Sequence, residues 1–176
     1  MTRGMNAILL VFFLLLASLV LSCSDQGRGL KVGESPGDFR LETFSHGRFY
    51  LNQQKGRITM LVFWATTCLG CKEEVIALKK VQAAFGPKGL SLAAVCIDPE
   101  NTDLLAAIVK DVSPPFPVCL DRGAKLFRSL GLSEVPSTVI VDQNGKAAMI
   151  RIGYDAAISK QVKDKLAQLL SETPAR

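Results

Sequence analysis

Apolar residues recur along this chain in three rhythms, and each predicts a different kind of element. The first is a long run, Ala7 to Leu21, uncharged and interrupted only by Ser18, preceded by one charge, Arg3. It has about the length of a signal-peptide core and falls short of the ~20 residues needed to span a bilayer. The second rhythm is a pair of short apolar runs, Ile58 to Phe63 and Leu90 to Ile97, each bounded by turn residues, as expected of buried strands. The third has helical spacing. Val75, Leu78, Val81, Ala84 and Phe85 form one face of a helix over Lys72 to Phe85, and Leu104, Leu105, Ile108 and Val109 form one over Thr102 to Val112, with Asn101 or Thr102 placed to cap it. Ile158, Val162, Leu166 and Leu169 do the same over Ala156 to Leu170.

Shorter elements fill the gaps. Asp38 to Phe44 and Arg48 to Leu51 flank Ser45-His46-Gly47, which reads as a hairpin. Val118 to Leu120 is a short strand, and Ala124 to Leu130 a short helix stopped by Gly131. Val135 to Val141 is a strand begun by Pro136, turning at Asp142-Gln143-Asn144-Gly145 into Lys146 to Ile152. The two buried runs are separated by a helix, so a parallel pairing with a right-handed crossover is expected. The order predicts an α/β domain: a mixed central sheet with helices on both faces and an N-terminal β-hairpin.

Charge and cysteine content narrow the chemistry. The net charge of +5 is spread among scattered lysines, arginines and acids with no basic block, which argues against nucleic-acid binding. Five cysteines, at positions 23, 68, 71, 96 and 119, occupy dissimilar settings and do not form one disulfide framework. The leader ends in Val20-Leu21-Ser22-Cys23, which resembles a bacterial lipobox, a signal in which the cysteine is lipidated and becomes the mature N-terminus. That resemblance predicts residues 1–22 as a lipoprotein-type signal peptide, 23–33 as the lipidated Cys23 with a Gly-rich tether, and 34–173 as the folded domain. An uncleaved anchor is the alternative; both readings place the domain outside the cytoplasmic membrane.

The chemistry concentrates in Trp64-Ala65-Thr66-Thr67-Cys68-Leu69-Gly70-Cys71, where a predicted strand turns into a predicted helix. Unpaired N–H groups and the dipole at a helix start favour an anion, and thiolate is the reactive form of cysteine. With Cys71 placed to attack a mixed disulfide at Cys68, the pair passes two electrons to or from another dithiol. No cofactor is required.

Phe63-Trp64-Ala65 before Cys68-x-x-Cys71, with Val135-Pro136-Ser137-Thr138 downstream, resembles the thioredoxin superfamily. Val32-Gly33-Glu34, Asp38-Phe39, Cys71-Lys72-Glu73-Glu74, Phe116-Pro117-Val118 and Val141-Asp142-x-x-Gly145 resemble its membrane-tethered TlpA/ResA-type thiol–disulfide oxidoreductases, over about residues 32 to 170. The resemblance implies that Cys68 is the exposed attacking cysteine and Cys71 the buried resolving one. It implies that Pro136 follows a cis peptide bond and faces the dithiol, and that Glu74 tunes the dithiol or moves its protons. It further implies disulfide-containing protein substrates, apocytochrome c among them, and a membrane electron donor that re-reduces the pair. Read without the resemblance, Pro136 starts a strand, and Glu73 and Glu74 are first-turn acids favoured by the dipole.

The chain departs from that family where Thr67 replaces a usual Trp, Gly70 a usual Pro, and Val62 the buried aspartate of thioredoxin. Thr67 and Gly70 border the thiolate, so the reduction potential does not carry over. Two other classes use related folds. A thiol peroxidase of the peroxiredoxin kind usually has Thr three residues before its reactive cysteine, where this chain has Ala65. A Sco-type copper protein uses a wider cysteine spacing and a distant histidine, whereas the one histidine here, His46, lies upstream in a turn. That position gives His46 a solvated or local role. Trp64 is expected to serve mainly as core packing beside the dithiol. Cys96 and Cys119 sit in matching phrases, Val95-Cys96-Ile97-Asp98 and Val118-Cys119-Leu120-Asp121. They pair only if adjacent strands align them, and otherwise are buried free thiols.

Overall fold

The computed structural model describes residues 29–153 and 160–172. Cys23 and the leader lie outside the described residues, as does the predicted start of the last helix at Ala156. Among the described residues the chain forms β1 (Arg40–Thr43), β2 (Arg48–Tyr50), β3 (Ile58–Trp64), α1 (Cys71–Phe85), β4 (Leu90–Cys96), α2 (Thr102–Val112), β5 (Val118–Leu120), α3 (Lys125–Ser129), β6 (Ser137–Val141), β7 (Ala147–Ile152) and α4 (Lys160–Glu172). The seven strands make one sheet in the order β2-β1-β5-β4-β3-β6-β7. β3, β4 and β5 run parallel, while β1 and β6 join them antiparallel. This is the thioredoxin-like α/β architecture the pattern predicts, and each strand and helix falls within a few residues of its expected place.

β3 is central because all seven of its residues are buried. Side chains alternate across a strand, so Ile58, Met60, Val62 and Trp64 enter one core and Leu61 and Phe63 the other. The first core is closed by α1, α2 and α4, through residues that include Leu78, Leu105 and Leu166. The second is closed by α3 and the strap from Leu30 to Phe39. Val62, fully buried, packs as an ordinary core residue. Burial of Val75, Leu78 and Val81 fixes the rotation of α1, each contributing about 1.5–3 kcal/mol. That rotation turns the side chain of Cys71, at the head of the same face, into the core.

The first helix starts at Cys71, one residue before its expected start at Lys72, with Gly70 at the N-cap and Cys68 in the turn that precedes it. One local expectation is corrected: Asn101 occupies the N-cap position of α2 without a side-chain capping bond, and its Nδ2 donates to Thr66 Oγ1.

Candidate active site

The site lies where three chain segments meet: the end of β3, the loop after β4 and the start of β6. β3 delivers Trp64 and then turns, with the Cys68 N–H donating to Ala65 O at 3.2 Å and the Cys71 N–H to Cys68 O at 3.2 Å. Cys68 and Cys71 are joined as a disulfide, with Cα atoms 5.3 Å apart. Their exposures differ in the way a two-step exchange requires. Cys68 is half-buried and reachable, whereas Cys71 is fully buried. Between them Leu69 projects into solvent, 96% exposed.

The Val135–Pro136 peptide is cis, as expected, and Pro136 is buried. The Val135 carbonyl oxygen stands 3.9 Å from Cys68 Sγ, so this segment borders the reactive sulfur. Glu74 lies one helical turn beyond Cys71 and on the same face, half-buried, with its Oε2 shut from solvent. Glu73 beside it is exposed. The one cation in this turn, Lys72, is engaged by Asp111 at 2.8 Å, whose carboxylate raises the lysine above its ordinary value and is itself lowered.

The third segment was not anticipated. Asp98, at the end of β4, accepts the Thr66 N–H on Oδ1 at 2.8 Å and the Thr66 hydroxyl on Oδ2 at 2.7 Å. The Thr67 hydroxyl reaches Oδ2 at 3.5 Å, and the Cys96 thiol donates to Oδ1 at 3.3 Å. Asn101 Nδ2 closes the cluster by donating to Thr66 Oγ1 at 3.3 Å, and the Ile97 N–H donates to Trp64 O at 2.9 Å. The loop that presents Cys68 is therefore tied to the end of β4.

Other singled-out residues lie apart from this chemistry. His46 is exposed in the β1–β2 turn with φ 63°. Trp64 is buried beneath the loop, and its Nε1 has no hydrogen-bond partner among the described residues. Cys96 and Cys119 are free thiols. β4 and β5 are indeed neighbours, but the register sets Cys96 opposite Leu120 and Cys119 opposite Val95, so the two sulfurs enter opposite cores. Burial pushes the Cys96 thiol far up and the Cys119 thiol up to about 12. Among the described residues, no cluster of His, Cys, Asp and Glu suited to a metal ion is found, and no helix is long and apolar enough to cross a membrane.

The model of the AhpC/TSA family matches residues 32–150, from within the strap to within β7. The chain belongs to the AhpC/TSA family. Within it, the chain is 25% identical over 138 residues to the thiol-disulfide oxidoreductase ResA of Bacillus thuringiensis strain Al Hakam, covering 78% of this chain and 75% of that one. It is 27% identical over 139 residues to the thioredoxin-like protein YneN of Bacillus subtilis strain 168, covering 78% and 80%. Among solved structures it superposes on a crystal structure described as a putative thiol:disulfide interchange protein DsbE from Chlorobium tepidum. The TM-score is 0.75 and the identity 25%, over 81% of this chain and 99% of that one. The fold, the Cys68–Cys71 disulfide and these relatives together make the chain a thiol–disulfide oxidoreductase of the ResA/DsbE type.

Proposed function

We propose that this oxidoreductase works outside the cytoplasmic membrane, tethered there by a lipidated Cys23, and reduces disulfides in protein substrates. The observation that carries the reading is the asymmetric Cys68–Cys71 pair, one sulfur reachable and one fully buried, at the start of α1. In the reduced protein, Cys68 thiolate attacks a substrate disulfide, forming a mixed disulfide and releasing one substrate thiolate. Cys71 then loses its proton and attacks Cys68 Sγ, freeing the second substrate thiolate. Two electrons leave the protein dithiol, the substrate disulfide becomes a dithiol, and the protein returns to the disulfide. Glu74, one turn from Cys71, is the group we assign to take the Cys71 proton. Pro136 and the Val135 carbonyl border the face on which the substrate lies, and Leu69 meets it first.

The charges around the pair support the reductive direction. Asp98, Glu100, Glu73, Glu74 and Glu134 stand on the segments that border it, while Lys72 is paired with Asp111. Carboxylates disfavour a nearby thiolate, which disfavours the reduced form and makes the couple a better electron donor. An oxidising compartment also leaves a tethered dithiol most useful as a reductant. The haem-binding cysteines of apocytochrome c are substrates of this type, and a thiol-reducing electron donor in the membrane completes the cycle.

The test is the reduction potential of the Cys68/Cys71 couple, followed by Trp64 fluorescence in glutathione buffers. A value near that of thioredoxin, about −270 mV, is expected; one near that of DsbA, about −120 mV, overturns the reductive assignment.

A further inference from the structure

Asp98 is 30 residues downstream of Cys68 in sequence and belongs to no cysteine motif, yet it receives more of the active-site loop than any other side chain near the pair. Its two oxygens take the Thr66 N–H at 2.8 Å, the Thr66 hydroxyl at 2.7 Å, the Thr67 hydroxyl at 3.5 Å and the Cys96 thiol at 3.3 Å. Thr66 is 8% exposed and its bonds to the half-buried Asp98 are partly shielded from water, whereas Thr67 is exposed. Thr67 is the residue immediately before Cys68. The carboxylate is therefore held against the turn that carries the reactive sulfur, by donors that leave it little freedom to swing away.

We infer that Asp98 is a positioning residue that sets the reducing poise of the Cys68/Cys71 couple, through its negative charge held beside the Thr66–Thr67 turn. When the disulfide is reduced and Cys68 becomes a thiolate, the fixed carboxylate opposes that new charge in a partly desolvated setting, where such repulsion is felt most. Destabilising the thiolate destabilises the reduced protein, so electrons pass more readily to the substrate. The other charged groups near the pair are Lys72, paired with Asp111 of α2, Glu73 and Glu74 on α1, Glu100 after β4, and Glu134 before Pro136. Asp98 bonds directly to the loop that presents Cys68.

The role concerns the same dithiol and rests on its being a redox couple, but not on which way it runs. The wild-type potential tests the reductive reading; the difference between variant and wild type tests Asp98. The decisive variant is Asp98→Asn, which keeps the shape and one acceptor oxygen while removing the charge. The full-length protein in detergent is used, with Cys68 thiolate formation followed at 240 nm across pH and the potential read in glutathione buffers. Asp98→Asn is expected to titrate at lower pH than wild type. Its equilibrium with glutathione shifts toward the dithiol by up to about tenfold, which for a two-electron couple is about 30 mV less negative. Asp98→Ser removes the same charge and gives a shift of the same sign, should Asn perturb folding. Thr66→Val removes both bonds of that hydroxyl, the one given to Asp98 Oδ2 and the one taken from Asn101 Nδ2, but leaves the charge, and its potential stays near wild type. A thiolate titration and potential unchanged in both Asp98 variants overturn the inference. So does a Thr66→Val shift as large as that of Asp98→Asn, because the poise is then mechanical and not electrostatic.

Discussion

Leu69 offers a sharp test of how substrate is received. It lies between the two cysteines, 96% exposed, with no apolar cover of its own. A leucine so placed contributes nothing to folding, but any polypeptide whose disulfide reaches Cys68 must pass over it. Full burial of a leucine side chain is worth about 1.5–3 kcal/mol. A docked peptide covering roughly half of it recovers on the order of 1 kcal/mol, about a fivefold factor in kcat/KM. Leu69→Ser is therefore expected to lower kcat/KM about fivefold toward a peptide disulfide flanked by leucine or valine, and to change little toward one flanked by serine or glycine. Thermal stability and reduction potential should match wild type, which separates a docking effect from a redox one. Stopped-flow Trp64 fluorescence with the two peptides gives both rate constants. Equal rates on both peptides, or an equal loss on both, would refute the idea that Leu69 reads the substrate flank.

Two further outcomes follow from the buried groups. Glu74→Gln removes the group assigned to take the Cys71 proton. Resolution of the mixed disulfide should slow by about a hundredfold, the lower end of general-base contributions, while its formation by Cys68 is unchanged; quenched-flow trapping of the adduct measures both. Burial holds the Cys96 and Cys119 thiols above the ordinary cysteine range, the latter at about 12. Between pH 9 and 12 the unfolded chain gives up their protons and the folded chain does not. Stability due to these thiols is complete below that window and declines as pH rises through it, by roughly 1.4 kcal/mol per pH unit for each cysteine. Urea midpoints of wild type and Cys119→Ala should converge with rising pH; parallel curves would show that Cys119 ionises freely in the fold.

Most of the framework was legible because its signals are local. The apolar run into β3, the helical spacing after Cys71 and the Asp142 to Gly145 turn each specify an element without reference to distant residues. What was not legible depends on register and on long-range bonds. The matching phrases around Cys96 and Cys119 hinted at side-by-side sulfurs, yet a one-residue stagger between parallel strands sends alternate side chains to opposite faces, and sequence does not encode that stagger. Asn101 carried a capping signal, but its side chain makes no cap and bonds Thr66, 35 residues away. Asp98 and Asp121 stood in the sequence only as the ends of those matching phrases. Asp121 is in fact 2% exposed and accepts the Leu126 and Phe127 N–H groups at 2.9 and 2.8 Å, anchoring the start of α3.

The two aspartates do the same thing at adjacent strand ends: each uses a carboxylate to gather donors from a neighbouring segment. What differs is the loop. At β5 it leads into a short helix, and the result is a packed α3 over the second core. At β4 the donors come from the turn that presents Cys68, and the result bears on chemistry. This placement also explains how the motif tolerates its departures from the family it resembles. A proline before the second cysteine stiffens the turn, and Gly70 gives that up; a tryptophan before the first shields it, and Thr67 does not. Stiffness lost within the Cys-x-x-Cys turn is resupplied from outside by Asp98, which bonds both threonines. The Thr67 hydroxyl joins that network at 3.5 Å from Oδ2. The redox centre is thus better described as three segments than as two cysteines, and substitutions at Thr66, Thr67 and Asp98 are expected to couple when combined, as members of one hydrogen-bond network do.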